Sequence, residues 1–228
     1  METVVMIIML MVLAGFILKL TYHGIAGQAV LCLLAAIFVA LTADYAATQS
    51  KTQIADWLAR PELMLDTSVW LTIDVAFQIC FCVLMTRRLT GAGMSRKESV
   101  ALAVTLWFPG LLIFPVLFSM LVEVIFSMPG TDFGLIGWGT AGCVLVIAPL
   151  LAWGVKALLP ENDLRLELMF LLNLLTAALG IIATVNGRTA ATGTNSVEWD
   201  ALAGVFGLLL LGTITGIIIN RYKLSKLK

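Results

Sequence analysis

An aspartate, Asp74, stands inside the run TSVWLTIDVAFQICFCVLM, whose other residues suit a hydrocarbon environment. At about 100° per residue, Thr67, Asp74 and Gln78 fall within roughly 40° of one another, so a helix over 65–88 carries a polar stripe on one face. A carboxylate at that depth costs several kcal/mol unless it is paired, protonated or wetted. The same cost is what lets a buried acid take up and release a proton or a cation. Glu123 falls at a comparable depth near the outer end of a later apolar segment, and Asp44 caps an earlier one. The three acids would share an outward-open cavity if their helices converge. Two blander roles compete for Asp74: a neutral acid bonded to Gln78 and a neighbouring helix, or an ion pair with a partner subunit.

A second group of residues points to packing. Asn173, Ala177, Gly180 and Thr184 share one helical face, and Gly212, Gly216 and Asn220 recur at four-residue spacing. Small residues let membrane helices approach closely, and amides bond across them. Close contact between the segments holding these two sets is the expectation, with a solute path lined by them as the sharper alternative.

Other chemistries find little support. His23 is the single histidine, which excludes a bis-histidine haem or a zinc site built from histidines. It sits in a short polar connection and reads as a surface residue at the membrane boundary. No HExxH, GxSxG or phosphate-cradling glycine loop is present. Cys32, Cys80, Cys82 and Cys143 all fall in apolar segments, and Cys80 and Cys82 point to different helix faces, so no disulfide framework is implied. The string ADWL at 55–58 resembles the aspartate–tryptophan pair of the microbial rhodopsins. That family binds retinal through a lysine in its last helix, and 201–220 holds none, so the resemblance ends there. No cofactor and no nucleic-acid partner are expected, and an intramembrane enzyme stays open as the lesser alternative to a non-enzymatic role.

The elements that must position these residues are transmembrane helices. Hydrophobic residues make up 61% of the chain and charged ones 12%, against about a quarter charged in soluble domains. Apolar blocks near the length needed to cross a bilayer predict seven spans, at about 1–20, 28–45, 65–86, 100–126, 135–159, 166–185 and 201–220. The first lacks the basic start and cleavage site of a secretory signal and reads as a retained helix. Pro109 and Pro115, in FPGLLIFP, predict a kink or a break in the fourth span. Between spans two and three, Ile54, Trp57, Leu58 and Pro61 suggest a short amphipathic helix in the outer interface.

Lysine and arginine set the orientation. On one side stand Lys19, Arg87, Arg88, Arg96, Lys97, Lys156, Arg165, Arg221, Lys223, Lys226 and Lys228, and on the other only Lys51, Arg60 and Arg188. The bias places the amino terminus outside and the carboxyl terminus in the cytoplasm, most naturally of a bacterial inner membrane. The predicted fold is an all-α seven-span bundle in one transmembrane domain, its partners being lipid and other membrane subunits. Two functions compete. The first is a non-catalytic subunit of a larger membrane assembly. The second is a small ion- or proton-coupled transporter or channel component using Asp74 and Glu123, and a broken helix around a midplane acid would favour it.

Overall fold

The computed structural model describes the backbone of residues 2–48, 61–128 and 130–189, with side chains over 6–48, 69–128 and 130–182. The described residues are all-helical and hold seven helices. These are α1 Glu2–Leu20, α2 Ile25–Thr48, α3 Pro61–Leu89, α4 Arg96–Trp107, α5 Ile113–Ser127, α6 Phe133–Leu158 and α7 Asn162–Thr189. They belong to the unit Met1–Arg188. The predicted seventh span, 201–220, with Gly212, Gly216 and Asn220, lies outside the described residues, as do 49–60 of the expected interfacial helix.

Four helical stretches are long and apolar enough to cross a membrane: Ile25–Thr48, Val69–Leu89, Phe133–Leu158 and Asn162–Ile182. Their outward faces are apolar too. Along α6, Leu135, Trp138, Val146, Leu150 and Trp153 are all exposed, a stripe suited to lipid and not to water.

Local chemistry sets the helix ends. Pro61 opens α3, where a missing N–H costs nothing, so the proline starts this helix four residues before the expected span. Ser95 caps α4, accepting from the Glu98 N–H while the Glu98 carboxylate accepts from the Ser95 N–H. Glu98 also pairs with Arg87, tying the start of α4 to the end of α3. The Asp132 carboxylate caps α6, accepting from Gly134 N–H at 3.2 Å.

The fourth predicted span is broken in two. Phe108 precedes Pro109 and adopts φ −78°, ψ 110°, because the proline ring disfavours helix at the residue before it. Gly110 then takes φ +111°, open to glycine and strained for any other residue. The chain re-enters helix at Ile113, so Pro115 falls in the first turn of α5, where no backbone donor is needed. The sequence motif thus makes a full interruption at 108–112, and α5 alone, at 1.5 Å per residue, covers only about 22 Å.

A small apolar cluster, Leu71, Val75 and Leu112, lies at the interruption, and two larger ones flank it. One joins α1, α2, α5 and α6 through residues such as Phe16, Val39, Leu121 and Val144. Its closest approach is Gly137 against Ala43, where an added Cβ would lie 2.3 Å from the alanine methyl. The other joins α3, α4 and α7 to the end of α1 through Phe81, Leu102, Leu166 and Leu18.

Candidate functional site

Breaking a helix leaves backbone groups without partners. Pro109 supplies no N–H for the Thr105 carbonyl, and the turn at Gly110 draws the N–H of Leu111 away from Trp107. A buried, unpaired donor or acceptor costs about 1–3 kcal/mol. Side chains from two other elements meet this need.

From α3, Asp74 Oδ1 accepts from the Leu111 N–H at 2.6 Å, and the Leu112 N–H also lies toward the carboxylate. The acid therefore caps α5, at the positive end of its dipole. Gly110 is favoured here by its φ, and the space beside it is tight as well. A Cβ on it would stand 3.2 Å from Asp74 Oδ1 and 3.1 Å from Gln78 Nε2.

From the α1–α2 connection, His23 pairs with the other side of the break. Its Nε2 lies 3.1 Å from the carbonyl of Leu106, and its ring packs edge-on against Trp107 at 5.3 Å. A carbonyl only accepts, so Nε2 carries the proton. His23 is 6% exposed, which corrects its reading as a surface residue. Only four residues link α1 to α2, and the end of α4 meets this connection at His23 through Leu106 and Trp107. Burial pushes the imidazole below the usual histidine range, and the charges of Lys19 and Lys156 add to that.

Lys19 is the residue that sequence reasoning missed. Its place in the last turn of the first span groups it by sequence with the headgroup-facing cations, but it is 1% exposed. Its Nζ donates to Gln78 Oε1 at 2.8 Å and sits 5.0 Å from the centre of the Phe81 ring. Asp74 lies close enough to attract it electrostatically, with Gln78 making the direct contact. The available signal was the pairing of a four-residue connection with one glutamine, Gln78, in the facing run.

Beside the two acceptors lies a small cavity, about 20 Å³ of space for water centres, lined in part by Gly15, Asp74, Gln78, Gly110, Asn173 and Thr176. It has room for a water molecule or a bare ion and little more. Asn173 donates through Nδ2 to its own helix at Met169 O, 2.8 Å. Thr176 bonds back to Leu172 O in the same manner.

The structure thus brings Asp74, Gln78 and Asn173 to one cavity. Asp44 and Glu123 are both exposed and do not line it. Gly180 serves close packing, with α3 as its neighbour: a Cβ there would lie 2.7 Å from Leu71 Cδ2. Among the described residues no group of three or more His, Cys, Asp or Glu side chains is gathered to hold a metal. Comparison of the chain with family models, with curated proteins and with solved structures returns no match.

Proposed function

We propose that the protein is a small ion-coupled membrane transporter or channel component, with Asp74 as the group that binds the coupling ion. The observation that carries this reading is the placement of the acid. Asp74 is buried in a span-length helix, holds the start of a broken one through Leu111, and borders a cavity of water size. Interrupted helices at membrane depth are tolerated where they line ion or substrate sites, since the freed backbone groups then serve the site. The cavity suits a proton, a water or a bare ion, and a larger solute would need the helices around it to part.

The proposed topology has seven spans. Helices α1, α2, α3, the α4–α5 pair, α6 and α7 make six, and 201–220 would make the seventh. With Lys19 and Arg165 both buried, nine cations still stand against three, which supports an outside amino terminus, a cytoplasmic carboxyl terminus and a bacterial inner membrane. The expected outer interfacial helix between spans two and three belongs to the same reading.

The cavity's small size favours a second reading, a non-catalytic subunit packed among partner helices. Reconstitution of the purified chain in liposomes separates the two. Proton or alkali-cation flux from the lone chain, lost in Asp74→Asn with folding intact, supports ion coupling, and undiminished flux in Asp74→Asn overturns it. No flux from the lone chain, together with a stoichiometric membrane partner on purification, would establish the subunit reading instead.

A further inference from the structure

A second charged site lies where α6, α7 and the α1–α2 connection meet. Lys156 stands in the last turn of α6 and Arg165 in the first turn of α7, so the short turn between these helices brings two cations to one end of the bundle. They are close enough for their charges to repel. Arg165 is 4% exposed, whereas Lys156 is partly exposed.

Neither cation has a carboxylate partner among the described residues, where the ion pair is Arg87 with Glu98. Lys156 Nζ donates to the His23 carbonyl at 3.3 Å. Arg165 donates to the Leu159 carbonyl at 2.8 Å and to the Asn162 amide oxygen, and its guanidinium carbon lies 5.8 Å from the centre of the Tyr22 ring. Glu161 and Asp163, the acids of the turn, are both exposed. One donor is left over. Arg165 Nε–H is buried with no hydrogen-bond partner, the single such side-chain atom among the described residues. Native proteins rarely keep a buried donor unpaired, because nothing repays its lost hydration. Two desolvated cations held only by neutral oxygens are costly for a related reason, since nothing cancels their charge. An anion at this junction answers both needs, bringing negative charge and a further oxygen acceptor.

The surroundings favour an anion that carries a lipid tail. Trp153 stands three residues before Lys156, so the two are neighbours on α6, and it belongs to the exposed apolar stripe with Val146 and Leu150. An acyl chain can lie along that stripe while its headgroup phosphate reaches Lys156. A free phosphate would gain the two cations and nothing from the stripe. Basic pockets between transmembrane helices suit phosphate headgroups on the cytoplasmic side, which is where the proposed topology puts this junction.

We infer that Lys156 and Arg165 bind the headgroup phosphate of an anionic phospholipid at the α6–α7 junction. Lys156 meets the phosphate first. The Arg165 guanidinium behind it supplies the second charge, its Nε–H turning to a phosphate oxygen. The site is separate from the Asp74 cavity and stands whether or not Asp74 couples ions.

The test uses the full-length protein, delipidated in detergent, with phosphatidylglycerol or phosphatidylcholine added and the bound lipid counted by native mass spectrometry. One phosphatidylglycerol per chain should be held in preference to phosphatidylcholine. Lys156 is the position to vary, since the buried Arg165 also serves folding. Lys156→Gln should weaken phosphatidylglycerol binding about fivefold, the worth of one cation at a membrane surface, and Lys156→Arg should keep it. Lys97→Gln removes an exposed cation from the same basic side and should change nothing. Equal retention of the two lipids, undiminished binding in Lys156→Gln, or an equal loss in Lys97→Gln would each overturn the inference. Inorganic phosphate should not displace the lipid, and Lys156-dependent displacement by it would assign the site to a soluble anion instead.

Discussion

The two halves of the bundle each hold an apolar cluster and differ in how much buried polarity accompanies it. Around α2 and α6 the interior is apolar and close-packed, down to an alanine methyl filling the space where Gly137 lacks a side chain. Around α3, the α4–α5 break and α7, an apolar cluster gives way to Asp74, Gln78, Asn173 and Thr176 lining a water-sized cavity, with Lys19 from the end of α1 buried against Gln78. The first half gains stability from contact, and the second spends some of it to keep charge at membrane depth. Stability and ion binding should therefore respond to different substitutions.

The largest effect is expected from Asp74→Leu. It removes the acceptor of the Leu111 N–H and leaves the Lys19 ammonium without its counter-charge. Leaving the buried Leu111 donor unpaired costs about 1–3 kcal/mol, the lost attraction on Lys19 adds to it, and denaturant or thermal unfolding in detergent would register the sum. A loss below about 1 kcal/mol would mean that the break does not depend on the acid.

In the apolar half, Gly137→Ala forces α2 and α6 apart, because the Ala43 methyl cannot swing aside. Overpacking of this kind costs about 1–3 kcal/mol. It should lower the melting temperature while leaving flux per folded molecule unchanged. If flux falls in parallel with Asp74 variants, the division between the halves is wrong.

Gly110→Ala tests the contact between backbone and site. The position has φ +111°, and the new methyl would press on both Gln78 and Asp74. Strain of about 1–3 kcal/mol is expected. Unlike Gly137→Ala, it should also disturb ion binding, and an unaffected binding isotherm would show that the turn is merely structural.

The smallest effect concerns pH. His23 has its folded-state pKa lowered by burial, so the unfolded chain binds its proton more readily. Its contribution to stability is complete above the usual histidine pKa of about 6.5 and is lost as pH falls below it. Melting temperature should decline between about pH 7.5 and 5, and the decline should flatten in His23→Gln, whose amide can still donate to Leu106. Equal slopes in the two proteins would remove His23 from the account.

Much of this architecture is legible in the sequence, for reasons that vary by residue. Apolar blocks of bilayer length mark the helices, and two prolines flanking a glycine mark the break, because the lost donor and the forbidden backbone angles are local properties. Asp74, Gln78 and Asn173 stand out as polar residues in apolar runs. Lys19 and His23 do not, because they lie where a helix runs into a connection, and there polarity is the ordinary state. Only the third dimension shows His23 against the end of α4 and Lys19 against Gln78. Asp44 and Glu123 are the converse: acids near helix ends, matching Asp74 in type and exposed where it is buried. Depth along a helix can be counted from sequence, but the direction in which an acid faces depends on neighbours that no single segment specifies.

The most direct test compares Asp74→Asn with Gly137→Ala in liposomes, measuring ion flux per folded molecule and melting temperature on the same preparations. The asparagine can still accept from Leu111, so the expected result is near-native stability with flux lost by at least tenfold, while Gly137→Ala shows the reverse. Retention of wild-type flux by Asp74→Asn would contradict the claim that this acid is where the ion binds.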